Sequence, residues 1–216
     1  MEKSIVLSVN IGMPKEEDFF GKKIITSLCK TPVSSPVAVT RFGIIGDGVA
    51  DKKHHGGEDK ALCIYCFDRY VYWERLLGIR LPASAFGENL SIQNIKETEV
   101  CIGDRYEIGT TLLEVSQPRQ PCATLAQRYG SKEFLKLMTG SGYTGFYCRV
   151  IEEGVIKTGD LVILKSKGEG AVTIAYANQI RHHDTKNRDG IKKILAASAL
   201  SASWRTEFET MLNKCG

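Results

Sequence analysis

Short runs in which apolar and polar residues alternate, or in which several apolar residues stand together, recur along the first three quarters of the chain. They are IVLSV from Ile5, VAVTR from Val37, ALCIYC from Ala61, RYEI from Arg105, TLLEVS from Thr111, GFYCRVI from Gly145 and LVILK from Leu161. Gly, Asp, Asn and Pro punctuate the intervals. A period of two sends alternate side chains to opposite faces of a strand, so short strands between turn-forming residues predict an all-β barrel or sandwich.

Two segments break this pattern. DRYVYWERLLG puts Tyr70, Trp73 and Leu77 on one helical face, with Asp68 expected as the cap and Gly78 as the stop. SKEFLKLMTG, from Ser131 to Gly140, predicts a second helix, and both are expected to seal the barrel rather than to react. Beyond about Ala171 the strand signals stop. Three helical patterns follow, near Val172 to Arg181, Asp189 to Ser198 and Ser201 to Asn213. In the last of them Ser201 is placed to cap, and Trp204, Phe208 and Leu212 recur every four residues, a stripe that reads as core packing. The KSKGEG stretch at 165–170 reads as a linker. The expectation is therefore a mainly β barrel with a few inserted helices at 1–168, followed by a small three-helix domain at 171–216. No internal repeat or low-complexity tract appears.

With 216 residues, 43% of them hydrophobic, the chain can bury a full core. Its formal charge of +4, from 29 basic and 25 acidic residues, is mild and dispersed. That argues against a nucleic-acid polymer as partner and suits an anionic small molecule. No stretch approaches the roughly 20 apolar residues of a membrane span, and MEKSIVLSVN is a poor export signal, so no membrane partner and a cytoplasmic location are expected. Seven cysteines, an odd number without a regular framework, are expected to be free thiols in a reducing compartment. Cys63 and Cys66 form a lone C-x-x-C inside an apolar run and read as core residues.

Cys122 differs in kind. The segment SQPRQPC follows a strand, and its two prolines deny further ladder hydrogen bonds, so the chain must leave the sheet there. ATLAQRYG after it has helical character, and Pro121 fits a first helical position, which sets Cys122 at the positive end of a helix with Arg119 nearby. Both features favour a thiolate that attacks electrophiles or binds soft metals. A buried cysteine packing as a small hydrophobe stays open beside it. A second segment, GIIGDGVADKKHHGGEDKALCIY from 43 to 65, joins acids, lysines, His54, His55 and a glycine pair ahead of a strand. Gly56 and Gly57 permit close approach of backbone N–H groups to an anion, Lys60 offers a point charge, and His55 can donate or accept. A polar hairpin loop with solvated charges is the alternative; paired histidines and loose acids make a poor zinc site. In AFGENLSI, Asn89 offers both a donor and an acceptor at a strand's beginning.

Taken in order, GDGVADKKHHGGEDKAL, FGENLSI, VSQPRQPC and LSASWRTEFETML closely resemble the YiiM-type branch of MOSC-domain proteins, from about residue 40 to the C-terminus. The HGG at 55–57, the GENL at 87–90 and the PRxPC ending at Cys122 stand in the family's order and spacing. The resemblance implies a MOSC-type β-barrel followed by a three-helix domain. It implies a molybdenum cofactor (molybdopterin) whose metal is ligated by Cys122, also the catalytic residue, and reduction of N-hydroxylated small molecules such as hydroxylaminopurine bases. Under it, His55, Lys60 and Arg119 become phosphate or pterin contacts, Asn89 a pterin contact or an orienting residue, and Asp47 or Asp51 supports for the loop. No flavin, nicotinamide or iron–sulfur motif is present, so electrons are expected from a separate electron-donor reductase. A cysteine-persulfide sulfur carrier and a non-catalytic cofactor-binding module are the rival readings.

Overall fold

The computed structural model describes residues 2–51 and 55–215. Thirteen strands are found among them: β1 (Ile5–Ile11), β2 (Lys15–Phe19), β3 (Lys22–Thr26), β4 (Thr31–Val33), β5 (Val37–Thr40), β6 (Gly43–Ile44), β7 (Leu62–Cys66), β8 (Leu90–Gln93), β9 (Arg105–Ile108), β10 (Thr111–Pro118), β11 (Phe146–Glu152), β12 (Gly154–Ile156) and β13 (Val162–Ser166). All seven sequence-predicted strands are among these. Eight strands form one sheet in the order β13-β9-β10-β11-β7-β8-β1-β4; β12-β5-β6 and the β2-β3 hairpin make two smaller sheets. The large sheet closes on itself where Ile5 bridges Leu161 and Val162 N–H donates to the Ser4 carbonyl at 2.9 Å. That closure makes it the expected barrel.

β7, the continuous apolar run LCIYC, is buried along its whole length between β11 and β8, as a strand covered on both faces must be. The β7–β8 pair is parallel and therefore needs a crossover, which α1 (Tyr70–Leu77) supplies. Asp68 does not cap this helix. It lies in the preceding 3-10 turn, and its carboxylate accepts from Asn94 N–H at 2.8 Å; the capping position is Arg69, without a side-chain bond. Gly78 ends the helix at φ 67° as expected. The β10–β11 connection carries α2 (Ala123–Arg128) and α3 (Glu133–Ser141). Trp73, Phe134 and Met138 from these inserts pack with Tyr65 and Phe86 into an aromatic cluster at one side of the barrel. The inserts seal the barrel, as the sequence predicts.

The tail forms α4 (Ile174–His182), α5 (Arg188–Leu195) and α6 (Ala202–Lys214). Ser201 caps α6 by accepting from Trp204 N–H at 3.3 Å. Val172, Ile174, Ile191, Trp204 and Phe208 belong to the same hydrophobic cluster as the barrel residues Val100, Ile102, Val115 and Cys148. The segment read as a linker is pinned to the barrel: Gly168 N–H and Lys167 Nζ both donate to the fully buried Asp104 carboxylate, at 2.9 and 3.0 Å. A side chain at Gly168 would put its Cβ 2.0 Å from the Ile102 carbonyl oxygen. No described helix is long and apolar enough to cross a membrane.

Candidate functional site

β10 ends at Pro118, and one further backbone bond, Arg119 N–H to the Gly145 carbonyl at 3.0 Å, holds the chain against the loop ahead of β11 before it turns away. Arg119 is thereby rooted in the sheet while its side chain turns inward, leaving it 3% exposed. Its Nε and Nη1 are buried with no partner among the described residues. A buried donor left unmade is costly, and a buried charge more so, so such a group marks a place where an anion belongs.

Three residues on, Cys122 occupies the N-cap of α2 in extended backbone, with Pro121 just ahead of the helix rather than at its first position. The helix starts at Ala123, two residues later than the sequence predicts. Burial pushes the Cys122 thiol up, but a hydrogen bond from His55 and the charges of Arg119 and His55 outweigh it and bring the thiol down to about 7; the Leu125 N–H donates to the Cys122 carbonyl at 3.0 Å. Burial instead raises Cys29, Cys63, Cys66, Cys101 and Cys148, Cys63 to about 11. All seven cysteines are free.

Arg119, Cys122, His55, Lys60 and Asn89 all line one cavity of about 700 Å³. The loop after β6 brings His55, while Lys60 ends a 3-10 turn (Glu58–Lys60) ahead of β7. Burial lowers the Lys60 ammonium despite the charges of Asp59 and Asp51. The turn itself is anchored by Arg149, whose Nε and Nη2 donate to Asp59 Oδ1 at 3.0 and 2.7 Å. Gly56 and Gly57 adopt φ 94° and 85°, where a side chain is disfavoured. His54 lies outside the described residues.

Asn89 reaches the cavity wall with its amide already engaged. Its Nδ2 donates to Asp47 Oδ2 at 2.8 Å and to the Asn10 carbonyl at 3.3 Å, and its Oδ1 accepts from Cys63 N–H at 3.0 Å. That geometry favours an orienting part over a direct contact. Asp47 accepts from Gly12 N–H at 2.7 Å and from the buried Lys30 ammonium. Asp51 accepts from His55 N–H through its backbone carbonyl at 2.9 Å.

Lys30, Gln120, Trp204 and Glu207 also line the cavity and were not foreseen from sequence. Lys30 sits in SLCKTP, which carries no signal. Trp204 was visible only as part of a core stripe. Among the described residues no three His, Cys, Asp or Glu side chains converge as a metal cage. The cavity brings together a thiol lowered to about 7 and a buried guanidinium.

The MOSC domain family matches residues 51–163, and the YiiM-like 3-alpha helix domain family matches residues 172–214. Protein YflK of Bacillus subtilis is 45% identical over 207 residues, covering 96% of this chain and 94% of that protein. A protein of Gibberella moniliformis named as a reductase is 35% identical over 165 residues, covering 74% of this chain and 29% of its own length. Among solved structures, YiiM from Geobacillus stearothermophilus superposes with a TM-score of 0.83 at 40% identity, covering 97% of this chain and 99% of that one. A barrel closed through Ile5 and Leu161, a cysteine at the mouth of β10 and a three-helix tail sharing the barrel's core thus coincide with both family matches: the chain belongs to the MOSC-domain family, in its YiiM-like branch.

Proposed function

We propose that the protein is an oxidoreductase that reduces N-hydroxylated compounds, hydroxylaminopurine bases among them, with a molybdenum cofactor ligated by Cys122. One observation carries this reading: a thiol brought to about 7 shares a cavity of about 700 Å³ with the buried, unpartnered guanidinium nitrogens of Arg119. The likeness to a fungal protein named as a reductase supports the redox class, and MOSC domains are associated with this cofactor in general.

The residues fit the group. A thiolate is a soft ligand suited to molybdenum that already carries dithiolene sulfurs. Arg119 and Lys60 supply positive charge for the pterin phosphate, and the backbone at Gly56 and Gly57 can approach it. When bound, the cofactor supplies a metal centre able to accept the oxygen of an N–OH group and to cycle electrons. Cys122 stays in place as a thiolate, held in that form by the His55 hydrogen bond to its Sγ and by the Arg119 charge. Asn89 and Asp47 fix the loop that carries His55. Electrons come from a separate reductase. A sulfur carrier would need the thiolate but has no use for a buried guanidinium with two unpartnered nitrogens, so Arg119 favours the cofactor reading.

The test is turnover of hydroxylaminopurine by protein purified from a host that makes the cofactor, with a chemical electron donor. The wild type is expected to reduce it, and Cys122→Ser to fall to background. Full activity in the variant would sink the proposed site.

A further inference from the structure

The chain between Arg119 and Cys122 is poorly supported by its own backbone. Arg119 N–H bonds the Gly145 carbonyl, and the next backbone bond is made by the Cys122 carbonyl, which accepts from Leu125 N–H. Between them neither Gln120 nor Pro121 makes a backbone hydrogen bond to a described residue, and a proline has no N–H to give. Arg119 and Cys122 stand at the two ends of this step. Whatever fixes Gln120 therefore fixes their relative placement.

α6 runs alongside it. Ser201 N–H donates to the Ser116 carbonyl at 3.0 Å, Ser203 Oγ donates to Gln117 Oε1 at 3.2 Å, and Glu207 Oε2 accepts from Gln120 Nε2 at 3.1 Å. The partners advance together, 201, 203 and 207 in the tail against 116, 117 and 120 in the barrel. The first two bonds meet β10 where the sheet already holds it, since Gln117 still pairs with Tyr147 of β11. The third meets the chain after it has left the sheet. Glu207 is itself held, because its Oε1 accepts from Arg181 Nη2 of α4 at 2.6 Å. A hydrogen bond to an ionised carboxylate is stronger than one between neutral groups, so this is the firmest tie that Gln120 has.

We propose that Glu207 is a positioning residue: through Gln120 it sets the Cys122 thiol in its place relative to the Arg119 guanidinium, and the three-helix domain thereby completes the site. The assignment rests on the role given to Cys122 above and extends it to a residue of the tail.

Two readouts test it on the full chain. Hydrogen exchange of the peptide spanning 119–126 is followed in cofactor-free protein, and the half-time of molybdenum loss is measured on loaded protein. Both are taken for wild type, Glu207→Ala, Gln120→Ala, the double variant and Glu207→Gln. Exchange and molybdenum loss are expected to quicken about tenfold in each alanine variant, the scale of one hydrogen bond, with the double variant no worse than either. Glu207→Gln keeps an amide oxygen for Gln120 but gives up the charge paired with Arg181, and it should stay close to wild type. An ion pair that merely braces the tail would make Glu207→Gln as damaging as Glu207→Ala and spare Gln120→Ala, which overturns the proposal. Effects that multiply in the double variant also overturn it, by showing that Glu207 acts without Gln120. Should Glu207→Ala not fold, Gln120→Ala leaves the tail's ion pair intact and decides alone: wild-type exchange there overturns the assignment. A wild type that holds no molybdenum strikes the reductase reading instead, and the exchange comparison still judges Glu207.

Discussion

Cys122 and Arg119 form a pair in which each explains the other. The thiol titrates at about 7 instead of its ordinary 9.0, with burial opposed by the His55 hydrogen bond and the Arg119 charge. Its folded value lies below the unfolded one, so these interactions stabilise the fold fully above about pH 9 and lose that contribution as pH falls through about 7. Alkylation of the cofactor-free protein by iodoacetamide, followed at the Cys122 peptide, should reach half its plateau rate near pH 7, and later in His55→Ala. A wild-type midpoint near 9 would contradict the assignment. Arg119→Met should separate stability from binding: removing a buried, incompletely paired charge is expected to leave the apoprotein as stable or more so, by ~1–3 kcal/mol, while cofactor content collapses. A less stable apoprotein that keeps its molybdenum would argue for a purely structural arginine. This pair was legible in the sequence because two prolines and a following helix force the chain out of the sheet at that point. Lys30, Trp204 and Glu207 were not, because what brings them to the cavity is contact between segments far apart in the chain.

At the scale of elements, strands with one dry face announced themselves through alternation. The β2–β3 hairpin did not: KEEDF and KKIIT are mostly exposed, with only Thr26 buried, so neither carries an apolar period to read. β4 and β6, of three and two residues, are too short to show one. Asp68 misled as a cap because a 3-10 turn intervenes and Asn94 claims its carboxylate. Asn89 is the element-scale hinge of the site, since its amide joins β1, β7 and the loop at Asp47 through three bonds. Asn89→Ala strands the Cys63 N–H and should cost about 1–3 kcal/mol in urea denaturation. A cost near zero would show that the loop is held without it.

For the whole molecule, the barrel, the inserted helices and the three-helix tail were all legible, in order. The degree of their union was not. Periodicity marked Trp204 and Phe208 as core but could not say that their core is the barrel's own, nor that Asp104 pins the segment at 165–170. A shared core makes separate unfolding of barrel and tail unfavourable. Calorimetry should therefore give one cooperative transition, and two resolved transitions would contradict the account. It is this union that lets α6 line the cavity that holds Cys122.

The central claim is that Cys122 holds a molybdenum cofactor. The direct measurement is molybdenum and released oxidised pterin per polypeptide, in wild type and Cys122→Ser purified side by side from a cofactor-producing host. The account predicts near-stoichiometric amounts of both in the wild type and their loss in the variant. No cofactor in either form, with a persulfide on Cys122 by mass spectrometry, would contradict it and make the protein a sulfur carrier.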